Sequence, residues 1–413
     1  MSASRRFSVL PPLSLYVHLP WCVRKCPYCD FNSHEARGEI PEAAYVDALL
    51  ADLATEMPGI WGRSLASVFV GGGTPSLFSA EALDRLLGGV RALTGLAPTV
   101  EVTLEANPGT VEQARFADYR ALGINRLSLG IQSFDDGALT ALGRIHSGRE
   151  AHRAIDIARA AGFDELNLDL MFPLPGQDIP AALADVDAAL AHAPEHLSCY
   201  ELTLEPNTLF ARFPPALPDD DARWEMQEAI GGRLVASDFS RYEISAWSRP
   251  GHRSVHNTNY WRFGDYVGIG AGAHGKISRA DDDSITRRWK TKHPSRYLEL
   301  AGTPEAIGGE SPIPIEDSAL EFMMNALRLV EGFEIPLFER HTGVPLDRWQ
   351  GAIAGATAAG LLEQSGLSLR ATPRGLDCLN DLLQHFMTDG SEEEADAPRR
   401  YPVIALRAEP PRG

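Results

Sequence analysis

Cysteine is scarce in this chain, with five in 413 residues. A disulfide-stapled scaffold needs more of them in a far shorter chain, so that class is excluded. Long apolar runs are also missing, and no stretch reaches the length of a membrane span. The segment ahead of Pro11-Pro12 holds too few apolar residues for a secretory signal. Positive charge is in deficit: 38 Lys and Arg stand against 56 Asp and Glu, a formal net charge of -18. No basic patch offsets it, which argues against a nucleic-acid partner. A cytoplasmic, reducing setting is expected, and it suits free thiols. Hydrophobic residues make up 44% of the sequence, enough to fill one large domain and a smaller one.

Three of the five cysteines fall in one short run, Cys22-Val-Arg-Lys-Cys26-Pro-Tyr-Cys29. Spacings of three and two intervening residues let three thiolates converge from one tight loop. Thiolates are soft ligands that favour iron–sulfur clusters, zinc or copper. Structural zinc and ordinary cubane sites want four ligands; a three-cysteine cubane leaves one iron open. Zinc with a distant fourth ligand, Asp30 or His34, stands as an alternative, and so does a disulfide with a spare thiol. Cys199 and Cys378 lack metal-like neighbours and are assigned to packing.

Six strand-then-helix units are predicted. The strands are Ser14–Leu19, Ser67–Val70, Val100–Leu104, Arg126–Ile131, Glu165–Met171 and His196–Leu202. Helices are expected over Pro41–Met57, Ser79–Leu93, Gly148–Ala161, Pro180–His192 and Asp219–Ser237, and Thr110 with Gln113 resembles a capping box for one more. Repeated units of this kind imply a parallel sheet with helices outside it, hence an α/β fold: a partial, six-stranded (β/α) barrel. Beyond residue 240 the pattern breaks. Arg241–Trp247 and Tyr266–Ile277 read as strands, with a glycine-rich passage read as a strand allowing close backbone approach. Helices are then expected over Glu316–Val330, Pro336–His341, Pro345–Gly355 and Thr372–Met387, with a hairpin at Leu361–Arg370. The domains read as an N-terminal segment (1–13), the barrel (14–240), a strand and glycine-rich extension (241–310), a smaller, mainly helical, winged-helix-like domain (311–388) and a disordered tail (389–413).

The unusual polar residues then fall on one rim. The cysteine loop follows strand one and Gly71-Gly72-Gly73-Thr74 follows strand two. Glu105, Gln132, Asp169 and Glu201 sit near the ends of strands three to six. Barrel folds build their sites at this C-terminal face. The glycines let backbone amides approach a ligand, and carboxylates such as Glu105 or Asp169 can accept from ribose hydroxyls. Arg144 can pair with a carboxylate. Each alone has a bland reading as a turn or a solvated loop anchor; it is their coincidence on one rim that carries weight.

With these residues in view, the chain resembles the radical S-adenosylmethionine (SAM) superfamily. The C-x3-C-x2-C run with Tyr28 before its last cysteine fits, as does Gly71-Gly72-Gly73-Thr74-Pro75. Within it, Tyr16-Val-His-Leu-Pro-Trp-Cys22, Glu105-Ala-Asn-Pro, Gly130-Ile-Gln132-Ser-Phe and Asn167-Leu-Asp169-Leu-Met-Phe-Pro resemble the oxygen-independent coproporphyrinogen III oxidase family. That family's oxidases carry a fourth cysteine two residues after the third, where this chain has Phe31, and a longer segment ahead of the first, where this chain has 21 residues. His256-Asn257-Thr258-Asn259-Tyr260-Trp261 fits the H-N-x-x-Y-W mark of the HemW-type heme chaperone branch. The resemblance implies a radical SAM barrel with a [4Fe-4S] cluster on Cys22, Cys26 and Cys29 and SAM chelating its open iron. It places Tyr16, Tyr28, Gly72, Gly73, Thr74, Glu105, Gln132, Arg144 and Asp169 around one or two SAM sites. It implies heme as a further cofactor, with His256 as axial ligand, Tyr260 and Trp261 on the porphyrin face and Asn257 orienting the imidazole. The expected function is heme binding and transfer to an acceptor protein, respiratory or membrane-associated, with an electron donor if SAM is cleaved. The alternative is the oxidase itself, which decarboxylates propionates, and a zinc-stabilised barrel without redox chemistry is a third reading.

Overall fold

Aliphatic residues alternate with polar or small ones along the strands of the N-terminal half. Leu15 and Val17 flank Tyr16, Leu127 and Leu129 flank Ser128, and Leu166, Leu168 and Leu170 alternate with Asn167 and Asp169. In the computed structural model, which describes residues 4–109 and 114–387, the aliphatic faces pack against an outer layer of helices in one continuous core. The other faces turn inward, so period-two alternation here marks a sheet with a dry outside and a polar inside. Six strands pair in parallel in chain order: β1 (Leu13–Leu19), β2 (Leu65–Gly72), β3 (Glu101–Ala106), β4 (Arg126–Gln132), β5 (Glu165–Phe172) and β6 (His196–Glu201). The crossovers include α1 (Glu42–Ile60), α2 (Ala80–Thr94), α3 (Phe116–Ala121), α4 (Gly148–Ala160), α5 (Ile179–Leu190) and α6 (Asp220–Val235). This is the expected partial barrel. The predicted pair Thr110 and Gln113 lies outside the described residues. A capping box that the sequence reading passed over opens α4, where Ser147 and Glu150 satisfy each other's backbone amides.

The sheet continues at both edges into twelve strands. Beyond β6 lies a short antiparallel pair, β7 (Ser240–Arg241) and β8 (Ala246–Ser248). On the free edge of β1 lies β9 (Asp265–Ile269), a seventh parallel strand, followed by the antiparallel run β10 (His274–Arg279), β11 (Ser284–Lys290) and β12 (Ile307–Pro312). The glycine-rich passage is a close-packed strand and turn. A Cβ on Gly268 would lie 1.9 Å from the His274 carbonyl oxygen, and one on Gly270 (φ +109) would lie 2.3 Å from that of His18. Asp265, fully buried, holds this edge together by pairing with Lys276 at 2.9 Å and Arg63 at 2.8 Å.

A second core gathers Phe263, Phe322, Phe338 and Phe386 under the C-terminal elements. These include α7 (Ser318–Ala326), α8 (Ile335–Thr342), α9 (Gln350–Ala358) and a small sheet of Phe333–Glu334, Ser368–Ala371 and Leu362–Ser365. Two expectations need correction here. The helix expected over Glu316–Val330 ends at Ala326, because Leu329 bridges to Glu243 and Val330 donates to the Tyr242 carbonyl. The helix expected over Thr372–Met387 is two, Pro373–Asp377 and Leu379–Gln384, since Cys378 leaves helical backbone angles (φ −109, ψ 46). The expected tail, 389–413, lies outside the described residues. No helix among the described residues is long and apolar enough to cross a membrane.

Candidate functional site

The C-terminal ends of β1 to β6 surround a cavity of ≈ 530 Å³. Cys22, Cys26, Tyr28 and Cys29 line it from the loop after β1, Gly72 from the last position of β2, and Gly73 and Thr74 from the turn that follows. Glu105, Gln132 and Asp169 reach it from β3, β4 and β5, and Arg144 from the segment after β4. The three thiols are free. Their loop is fixed by its own backbone: Cys29 N–H donates to the Cys26 carbonyl (3.1 Å), His34 N–H to that of Pro20 (2.7 Å) and Ala36 N–H to that of Cys22 (2.9 Å). Asn32 ties the loop to the sheet edge, donating to the carbonyls of Ala271 and Lys292, each at 2.8 Å.

The glycine turn differs from expectation in one respect. Its amides are hydrogen-bonded within the chain: Gly72 N–H donates to the Glu105 carboxylate (3.0 Å), Gly73 N–H to the Leu19 carbonyl (2.8 Å) and Thr74 N–H to that of Trp21 (2.7 Å). Glycine is required because the turn presses on the root of the cysteine loop. A Cβ on Gly73 would lie 2.5 Å from the Trp21 carbonyl oxygen, and one on Gly72 (φ +119) 2.7 Å from the His18 ring. The cysteine run and the glycine turn are therefore one structural unit.

Burial sets the electrostatics. It pushes the Glu105 carboxyl up to about 8, aided by the nearby charge of Asp169 and opposed by the Gly72 amide. Burial also raises Asp169, against hydrogen bonds from Asn167 (2.8 Å) and Ser128 (3.0 Å). It raises the thiols of Cys22 and Cys29 too, with the hydroxyls of Thr74 and Ser33 pulling the other way. The guanidinium of Arg144 reaches the Cys26 sulfur at 3.6 Å and the Asn107 side-chain oxygen at 2.6 Å. Among the described residues, three side chains that line this cavity each carry a buried polar atom with no partner: Arg144 Nε, Thr103 Oγ1 and Trp261 Nε1. Orphans of this kind fit a cavity completed by a polar ligand. No three His, Cys, Asp or Glu side chains among the described residues stand close enough to share one metal ion. The donor set at the rim is three free thiols from one loop, which fits a cubane that leaves one iron open.

His256, Asn257, Tyr260 and Trp261 do not face one space. They lie on a short helix, Val255–Trp261, capped by Ser254 and by the Glu101 carboxylate, which accepts from Val255 N–H (3.1 Å) and His256 N–H (3.0 Å). Residues four apart share a helix face. His256 and Tyr260 accordingly line a second cavity of ≈ 810 Å³, together with Tyr16. Trp261 lines the first cavity, beneath the guanidinium of Arg328 at 4.4 Å, and Asn257 borders both. The cavities share a wall of Cys29, Phe31, Phe69, Gly72 and Glu105. His256 packs on Phe69 with ring centroids 4.9 Å apart, and its Nδ1 meets the Ser67 hydroxyl at 3.0 Å. Burial lowers its pKa to about 4, so the imidazole is neutral. Tyr16 OH hydrogen-bonds His18 Nδ1 at 2.9 Å, placing Tyr16 on the wall of the second cavity and not the first. Glu201, exposed at the end of β6, pairs with Arg223 at 3.0 Å and reaches the first cavity's edge.

Sequence reasoning missed the floor of the first cavity. Thr103, Ser128, Asn167, His196 and Ser198 line it, knitted by bonds from His196 Nδ1 to Asn167 (2.6 Å) and from Ser198 to Asn167 (3.0 Å). Their signal was present as the polar half of each strand's alternation.

A partial parallel barrel with three free thiols at its rim defines a radical SAM protein, and residues 16–186 match the Radical SAM superfamily. Residues 313–377 match the HemN C-terminal domain. The chain is 47% identical to the heme chaperone HemW of Escherichia coli over 92% of its own length and 99% of that protein's, and 46% identical to that of Haemophilus influenzae with the same coverage. It belongs to the HemW family of the radical SAM superfamily. Among solved structures, coproporphyrinogen III oxidase (HemN) of E. coli shares the fold, with a TM-score of 0.78, 21% identity and coverage of 92% of this chain and 91% of that one.

Proposed function

We propose that this chain is a heme chaperone, which holds a [4Fe-4S] cluster and SAM in the first cavity and heme in the second, and passes heme to an acceptor protein. The observation that carries the reading is His256: a neutral, oriented imidazole on a large aromatic-walled cavity that abuts the cysteine loop. Kinship to proteins named heme chaperone supports it.

Cys22, Cys26 and Cys29 would hold the cluster, and with SAM bound it would supply low-potential one-electron chemistry. The protein's own residues do the rest. Arg144 offers positive charge and donors beside Cys26. Glu105, held neutral at pH 7 by burial, presents a hydroxyl donor and a carbonyl acceptor where a carboxylate would repel Asp169. Gln132, with φ +67, and Asp169 complete a polar wall for SAM. In the second cavity, Ser67 hydrogen-bonds His256 Nδ1, so Nε2 would be the nitrogen that binds a heme iron. Tyr16 and Tyr260 supply flat apolar surface for a macrocycle. Phe31, 59% exposed on the shared wall, puts an apolar edge where the oxidases carry a fourth thiol. The cytoplasmic placement, the electron donor and the domain division at residues 240 and 310 belong to the same proposal.

An anaerobic heme titration followed by absorbance tests it. Wild type should bind heme, His256→Ala should weaken binding by ~10-fold or more, and Trp261→Phe, altered in the other cavity, should leave the affinity unchanged. Unchanged binding by His256→Ala, or vinyl product from coproporphyrinogen III under dithionite and SAM, would overturn the assignment.

A further inference from the structure

Two hydrogen-bonding groups reach the sulfurs of the cysteine loop from other parts of the barrel. One is the Thr74 hydroxyl, which lines the first cavity beside Cys22. The other is Arg144 Nη1, 3.6 Å from the Cys26 sulfur. They come from different turns, after β2 and after β4, and meet on a single side chain, Asn107, just beyond the end of β3. Asn107 Oδ1 accepts from Arg144 Nη2 at 2.6 Å, and Asn107 Nδ2 donates to Thr74 Oγ1 at 3.0 Å. Arg144 can only donate, so the orientation of the carboxamide is fixed: oxygen toward Arg144, nitrogen toward Thr74. That orientation has a consequence at Thr74. Its oxygen accepts from Asn107, and its proton is free to point at Cys22. On the other arm, Arg144 Nη2 is pinned by Asn107 and by the Gly130 carbonyl at 2.8 Å, which aims Nη1 at Cys26.

From this bridge we propose that Asn107 is a positioning residue that sets the reduction potential of a cluster on Cys22, Cys26 and Cys29, by directing one hydrogen-bond donor to each of two of its sulfurs. The proposal rests on the cluster reading above. Donors to cluster sulfurs stabilise the reduced, more negative state and raise the potential. Asn107→Ala releases both arms. Asn107→Asp keeps the acceptor for Arg144, but it turns the other arm into an acceptor that draws the Thr74 proton off Cys22, and it adds a negative charge near the cluster. Thr74→Val removes the Cys22 arm alone.

The test is a redox titration of each anaerobically reconstituted variant, followed by the spectrum of the reduced cluster, with iron and sulfide counted on the same samples. All three variants should shift to more negative potential, Thr74→Val least and Asn107→Asp most. Wild-type potentials in Asn107→Asp and Thr74→Val at full iron and sulfide would overturn the proposal. Should Asn107→Ala fail to load, the other two variants decide. A wild-type protein that takes up no iron or sulfide overturns the cluster reading instead, and the metal count tells the two failures apart.

Discussion

Glu105→Gln should make the protein more stable, and more so as the pH rises. The carboxyl is buried on the cavity wall with one hydrogen bond, from the Gly72 amide at 3.0 Å, and Asp169 close by. Its pKa rises from 4.5 to about 8 on folding. Between those values the unfolded chain has released the proton and the folded chain has kept it, so the unfolded state binds fewer protons and stability falls with pH. The favourable contribution is fully present below pH 4.5 and is gone once pH passes about 8. Each pH unit in the window weakens the fold by about 1.4 kcal/mol, so the interval amounts to roughly 5 kcal/mol. Glutamine keeps the size and the acceptor of the neutral acid and cannot ionise. Denaturant unfolding of the cofactor-free protein at pH 5 and at pH 8 should therefore show near equality of wild type and variant at the lower pH, and a variant more stable by several kcal/mol at the higher. Parallel pH profiles for the two proteins would refute the assignment of a buried, neutral Glu105.

Gly73→Ala should cost about 1–3 kcal/mol or more and loosen the cysteine loop, because the new methyl would lie 2.5 Å from the Trp21 carbonyl oxygen; thermal melts, with thiol reactivity as a readout of the loop, check it. Asp265→Ala should cost about 3–5 kcal/mol, since it leaves Lys276 and Arg63 buried without their counter-charge. The double variant Asp265→Leu, Lys276→Met should lose much less by the same denaturation assay, and an equal loss would show that the ion pair is not the cause.

The barrel was legible because its units repeat: each aliphatic strand is followed by a helix, and the odd polar residues fall at strand ends. Boundaries failed where tertiary contacts override local pattern, as at Leu329, which leaves its expected helix to bridge Glu243. The rim residues were found by type and position. Their partners were not, because Asn107's role depends on Thr74 and Arg144, 33 and 37 residues away. The split of His256 and Tyr260 from Trp261 follows from helical periodicity, which the sequence held but which reading the segment as a linear motif obscured. Tyr16 shows the same limit, since alternation fixes its face and not which of two cavities that face meets.

The most direct test of a two-cavity chaperone is a heme titration of protein already loaded with cluster and SAM, with iron and sulfide counted before and after. The account predicts that heme binds while the cluster iron and sulfide stay unchanged, since His256 and the cysteine loop face adjoining spaces. Heme that binds only as cluster iron is lost would place both at one site and contradict it.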